Sequence, residues 1–192
     1  MDKSDFRIYL WYLTQNVDYY VCGIKLEKGS VATPWTPNFA DAVYSSMGLN
    51  NNVEYDVSGY GYNGTKTGTL TYSSDTPRYN VSTYFNGSSD IRSGAGSFGW
   101  FDFKEGTVVA WYKPANTTQP WASVGVQNDG NAGYRSFSIC NYTGKAATVV
   151  GYDSSWGYLA SDFSMSADVW YHLCATITNG NTVKLYVNGE LV

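Results

Sequence analysis

Charge is scarce in this chain. Charged residues make up 15% of the 192 positions, against the roughly 25% usual in globular domains. The balance is −4, and lysine and arginine are nowhere clustered. Duplex nucleic acid is therefore excluded as an expected partner, because phosphate binding needs grouped cations. There is one histidine, His172, and no G-x-S-x-G motif, which leaves no sequence basis for a nucleophilic triad. One histidine with scattered cysteines is equally poor material for zinc. No apolar run approaches the ~20 residues of a membrane span, so membrane insertion is not expected. The opening MDKSDFRIYLWYL is interrupted by Arg7 and lacks a small-residue cleavage site. It does not read as a signal peptide; synthesis in a cytoplasm, or a leader outside this sequence, is the expectation. Cysteine is rare too. Cys22, Cys140 and Cys174 cannot all pair internally. Each lies in an alternating apolar run, so buried free thiols are the first reading and a Cys140–Cys174 disulfide the second.

Aromatic residues are abundant: 17% of the chain, with 18 Tyr and 7 Trp. Disordered chains are poor in aromatics, so this one folds. No segment holds a 3.6-residue period. Short alternating runs are separated instead by Gly, Asn, Ser and Thr, the pattern of an all-β sandwich or jelly roll. At most, Ala40–Met47 forms a short helix. The clearest pair of runs is Trp170–Gly189. Tyr171, Leu173, Ala175 and Ile177 share one face of the first run, and Trp170, His172, Cys174 and Thr176 the other. Val183, Leu185 and Val187 alternate with Thr182, Lys184 and Tyr186, and Asn179-Gly180 supplies the hairpin turn. Further strands are expected at Ser82–Phe85, Thr107–Lys113, Trp121–Val126, Ser136–Asn141 and Ala147–Tyr152. Phe6–Trp11 and Asp18–Leu26 read as a strand pair ended by Pro34 and Pro37. Two strands alone are marginal, so they belong either to an upstream domain or dock on the main unit.

Several motifs carry family resemblances. Glu54–Gly64 (EYDVSGYGYNG), Tyr84–Ser89 (YFNGSS), Thr107–Lys113 (TVVAWYK) and the Trp170–Gly189 hairpin follow one another in the order of the laminin-G-like domains of the concanavalin A-like jelly rolls. The resemblance covers residues 53–192 and implies such a β-sandwich, lacking its C-terminal closing strands and leaving an edge exposed. Ile24–Asp41 (IKLEKGSVATPWTPNFAD) resembles the end of a carbohydrate-binding-module-like domain in tail and appendage proteins of phages that infect Gram-positive bacteria. It implies that residues 1–37 close an upstream domain, with 38–52 as linker. Together the two imply a virion location, with an extracellular or cell-surface setting as the alternative. They also imply contact with other tail proteins and host-surface carbohydrate as the ligand. A structural spacer or oligomerisation module, assembling as a homo-oligomer, is the competing reading.

Some glucanases of this fold carry E-x-D-x-x-E on one strand, so that two carboxylates flank the scissile bond. Glu54-Tyr55-Asp56 begins that pattern, but Ser58 and Gly59 stand where the second glutamate belongs. Catalysis is not expected. Sugar binding needs aromatic faces beside hydrogen-bonding groups, and three loops have that composition. Gln127–Arg135 offers Asn128, Asp129, Asn131, Tyr134 and Arg135. Tyr152–Tyr158 offers Asp153, Trp156 and Tyr158. Thr117–Trp121 ends in Trp121. Calcium is common in this fold; Asn128, Asp129 and Asn131, or Asp153, are the oxygen donors available to it, and no other cofactor is expected. Asp56, Ser58 and the surrounding glycines read as turn formers, Trp111 and Trp170 as core, and His172 as a packed or rim residue.

Overall fold

The computed structural model describes residues 4–10, 19–27, 53–54, 63–77, 82–93, 105–118, 122–128, 136–152, 155–179 and 182–192. All regular structure among them is β, as the alternation requires. The strands are β1 (Ser4–Leu10), β2 (Tyr19–Glu27), β3 (Val53–Glu54), β4 (Gly64–Thr67), β5 (Leu70–Ser73), β6 (Ser82–Phe85), β7 (Asp90–Ser93) and β8 (Gly106–Pro114). They continue as β9 (Ala122–Asn128), β10 (Ser136–Tyr142), β11 (Lys145–Tyr152), β12 (Ser155–Ser164), β13 (Tyr171–Thr178), β14 (Thr182–Val187) and β15 (Glu190–Leu191). They form an eight-stranded sheet, β12-β11-β10-β9-β1-β7-β4-β3, and a seven-stranded sheet, β15-β14-β13-β8-β2-β6-β5, in a sandwich-like arrangement.

The C-terminal hairpin matches its sequence pattern residue for residue. Ala175 faces Leu185 and Leu173 faces Val187 across the ladder. Tyr171, Leu173, Ala175, Ile177, Leu185 and Val187 enter the core. A second turn follows, in which Asn188 (φ 53°) and Gly189 (φ 90°) are both left-handed, the pairing that a tight two-residue hairpin favours. Asn188 is locked onto β13 from both sides. Its amide donates to the His172 carbonyl at 2.8 Å, and its Oδ1 accepts from the His172 amide at 2.9 Å.

The core lies between the sheets. Phe85, Val108, Ala110, Tyr112, Leu173, Ile177 and Leu185 from one sheet meet Ile91, Val124, Phe137, Ile139 and Ala146 from the other. Tyr112 is fully buried and points its hydroxyl at the Ala122 carbonyl, 3.4 Å away. Burial raises its pKa, since a phenolate here would lose its hydration.

Two readings need correction. β1 and β2 do not pair with each other. β1 lies between β9 and β7 of one sheet, and β2 lies between β8 and β6 of the other. β1 and β2 therefore supply interior strands to the two sheets. Alternation marks a strand but not its neighbour, which is why sequence adjacency misled. Second, Trp111 and Trp170 are not core. Val108, Ala110 and Tyr112 take the inner face of β8, so Trp111 falls on the outer one, edge-to-face with His172 at 5.2 Å between ring centroids. Of the two cysteine readings, the first holds for Cys140 and Cys174, which do not bridge. Cys140 on β10 and Cys174 on β13 belong to opposite sheets, and both are buried free thiols. Burial pushes the Cys140 thiol up to about 12. The linker 38–52 and the Ala40–Met47 segment lie outside the described residues.

A tyrosine patch on the eight-stranded sheet

Phe137 and Ile139 of β10 and Ala146 of β11 face the core. The alternate residues of β10, β11 and the edge strand β12 therefore share the outer face. There Tyr142 of β10 and Tyr158 of β12 lean together across β11, with ring centroids 4.6 Å apart and planes inclined by 42°. The Tyr158 hydroxyl donates to that of Tyr142 at 3.3 Å. This hydrogen bond is the largest influence holding the Tyr142 phenol above its ordinary pKa. Beside the rings, Lys145 and Asp162 form an ion pair at 3.2 Å. Ala147, opposite both Cys140 and Ala160 in the ladder, floors the patch. Tyr158 is 46% exposed.

The strands place these groups firmly. β10 pairs with β11 along the whole of Ser136–Tyr142, and Tyr158 lies opposite Val149 on β11. Tyr142 leads directly into the turn of Thr143 (φ 48°) and Gly144 (φ 85°), whose second amide donates to Asn141 Oδ1 at 3.0 Å. That turn returns the chain so that Lys145 faces Tyr142.

Of the residues anticipated to bind ligand, Tyr158 is the one with a described side chain. It lies in a strand rather than the expected loop, because Trp156, Tyr158, Ala160 and Asp162 alternate with Leu159, Ser161 and Phe163. Trp156 is placed by its backbone, opposite Gly151, and Asn128 is the last residue of β9, opposite Ser4. The ladder carries a single row from Trp156 through Gly151 and Ser136 to Gln127. Three strand spacings, about 14 Å, separate its ends. The two anticipated segments thus converge on one end of the sheet. Trp121, Asp129, Asn131, Tyr134, Arg135 and Asp153 lie outside the described residues. Tyr142, Lys145 and Asp162 were not anticipated; for Asp162 the available signal was the alternation after Ser155, blurred by Gly157 and the serines.

Glu54, the first carboxylate of the partial glucanase pattern, is occupied elsewhere. Its Oε1 accepts from the Tyr72 hydroxyl at 2.6 Å and pairs with Lys66 at 3.0 Å. The three residues tie β3 and β4 of one sheet to β5 of the other. Burial pulls the Lys66 ammonium down, but its bonds to Tyr72 and Glu54 outweigh that and leave its pKa raised. Asp56 lies outside the described residues. Among those described, no group of three or more His, Cys, Asp or Glu is placed to hold a metal. The tyrosine patch offers what a polyol ligand uses: aromatic surface, two hydroxyls, an ammonium and a carboxylate on rigid strands.

No curated protein and no solved structure significantly matches the chain. A protein family described as the concanavalin A-like lectin/glucanases superfamily, of laminin-G type, matches residues 85–192. Those residues supply β7 to β15 and the whole of the tyrosine patch, and the two-sheet fold agrees with the match. The chain belongs to the concanavalin A-like lectin/glucanases superfamily.

Proposed function

We propose that this chain is a non-catalytic carbohydrate-binding module whose contact surface is the outer face of β10–β12. The observation that carries this reading is the inclined Tyr142–Tyr158 pair, part-exposed and flanked by Lys145 and Asp162. Pyranose rings present flat C–H faces to aromatic surface and hydroxyls to neighbouring polar groups. The superfamily includes both lectins and glucanases. A binding role fits this chain better than cleavage, because hydrolysis calls for two carboxylates flanking the bond. Asp162 is the patch's one carboxylate among the described residues, and Glu54 is engaged by Lys66 and Tyr72.

The resemblance of Ile24–Asp41 to phage tail and appendage proteins supports a setting in which many copies engage host-surface glycans together. Weak single sites then act through their effective concentration. The test is a pull-down of the full chain on Gram-positive cell-wall polysaccharide and on neutral glucans, with calcium and with chelator. Saturable binding competed by free sugar is expected. Tyr158→Ala and Tyr142→Ala should each weaken it by about tenfold, the equivalent of one lost stacking contact of about 1.4 kcal/mol. Equal binding by folded variants would remove this patch as the site. No binding by folded wild type would leave the spacer or oligomerisation role, for which light scattering is the readout.

A further inference from the structure

We propose that Tyr142 and Tyr158 are a site of oxidative cross-linking, at which a peroxidase-type oxidant joins the two rings and staples the edge strand β12 to β10. The inference rests on ring geometry and does not depend on sugar binding. The two rings stand 4.6 Å apart between centroids, with the hydroxyls 3.3 Å apart. Converging hydroxyls bring the ring carbons next to them close as well, and those carbons hold much of the unpaired spin in a phenoxyl radical. Tyr158 is 46% exposed, so an oxidant reaches it from solvent. Other described tyrosines are less suited. Tyr112 is fully buried in the core, Tyr171 is buried and accepts from the Ser166 amide at 2.8 Å, and Tyr72 is tied to Glu54 and Lys66.

The reaction balances with hydrogen peroxide as the terminal oxidant. Each phenol gives up one hydrogen atom, that is, one electron and one proton. The two radicals form a carbon–carbon bond between positions ortho to the hydroxyls. The hydrogen on each newly bonded carbon then moves to its oxygen, restoring both aromatic rings and both hydroxyls. Two hydrogen atoms leave the protein, and the peroxide is reduced to two waters. The partners need no large rearrangement, because the β10–β11 and β11–β12 ladders already hold them. The product closes a covalent loop around β11 and restrains an edge strand, the element of a sheet most exposed to fraying and to pairing with other chains.

The test treats dilute full-length chain with a haem peroxidase and hydrogen peroxide. Dityrosine fluorescence should develop in the monomer fraction, with a yield independent of protein concentration. Trypsin places Tyr142 in the peptide 136–145 and Tyr158 in the adjoining peptide 146–184. The cross-link should join these two at a mass two hydrogens below their sum. Tyr142→Phe and Tyr158→Phe, which keep the rings and remove only the hydroxyls, should each abolish the joined species. The cross-linked chain should melt higher than the untreated one by several degrees, as expected for a covalent loop of this size. Fluorescence confined to concentration-dependent dimers, or a joined peptide that persists in either Phe variant, would overturn the proposal. Peptide mapping of the wild type decides the matter by itself if a variant fails to fold, as judged by circular dichroism. A negative result would leave the sugar-binding test untouched.

Discussion

Asp75 shows how much one side chain contributes at a point where sequence offers no warning. It sits in a turn after β5, 53% exposed at its side chain, and joins two distant elements. Its Oδ2 accepts from Lys113 Nζ on β8, and its Oδ1 accepts from the Trp170 indole at 3.0 Å. The ammonium also stands 5.9 Å from the centre of the Trp170 ring. Lys113 is only 6% exposed, and a buried ammonium needs compensation. The hydrogen bond from Lys113, followed by that from Trp170, lowers the Asp75 pKa below its ordinary 3.8. The sign follows from linkage: a depressed carboxylate pKa contributes stability that is present above pH 3.8 and lost as pH falls through the folded value. Asp75→Asn should therefore melt below the wild type near neutral pH. The two melting temperatures should converge well below pH 3.8. A gap that persists unchanged in strong acid would show that the charge of Asp75 is not what matters. Lys113 ends the TVVAWYK motif, but nothing in the sequence links it to Asp75; 38 residues separate them, and only the packing of β8 beneath the turn brings them together.

At the scale of elements, the strands differ in how plainly they were written. β13 and β14 have uninterrupted alternation and a turn rich in Asn and Gly, so their faces and register could be read directly. β8 was equally plain, since TVVAWYK has strand formers throughout. β12 was not, because Ser155, Gly157 and Ser161 dilute the alternation with residues typical of turns. β4, β5 and β7, four residues each, were submerged in a glycine-rich stretch. Two glycines separate what a strand tolerates from what it demands. A Cβ on Gly125 of β9 would come within 2.2 Å of the Phe137 carbonyl oxygen and 2.4 Å of Ser138 Cα, both backbone atoms of β10. A Cβ on Gly157 of β12 would meet nothing within 4 Å. Gly125→Ala should thus destabilise the chain by about 1–3 kcal/mol, as overpacking does. Gly157→Ala should stay within about 0.5 kcal/mol, as for an ordinary surface substitution. Urea melts of the two variants check this, and equal losses would mean that β9 and β10 can separate at no penalty.

For the whole molecule, the consequential feature is that β1 and β2 are interior strands. β1 pairs with β9 over Ser4–Leu10 and with β7 on its other side. β2 separates β8 from β6 in the opposite sheet. Deleting residues 1–27 would leave four strand flanks unpaired and divide each sheet in two, which exposes backbone groups that need partners. The deletion should abolish cooperative unfolding and promote aggregation, as followed by circular dichroism and light scattering. A truncated chain that stays monomeric and melts like the full one would refute this topology.

The all-β class, the faces of the C-terminal hairpin and the laminin-G-like identity were determined by sequence alone. Each depends on local alternation, turn residues and the order of short motifs, and these act over a few neighbouring positions. The tertiary structure decided what local pattern cannot carry: which strands are neighbours, which face of β8 turns to the core between the sheets, and where remote side chains meet. Trp111 illustrates this. Its apolarity suggested the core, but Val108, Ala110 and Tyr112 hold the inner face, and a strand's side chains must alternate. Tyr142 and Tyr158 illustrate it again, since the turn at Thr143-Gly144 and the whole of β11 lie between them along the chain. Their contact exists because β10, β11 and β12 lie side by side in that order, a choice made by the burial of Phe137, Ile139 and Ala146 on the opposite face.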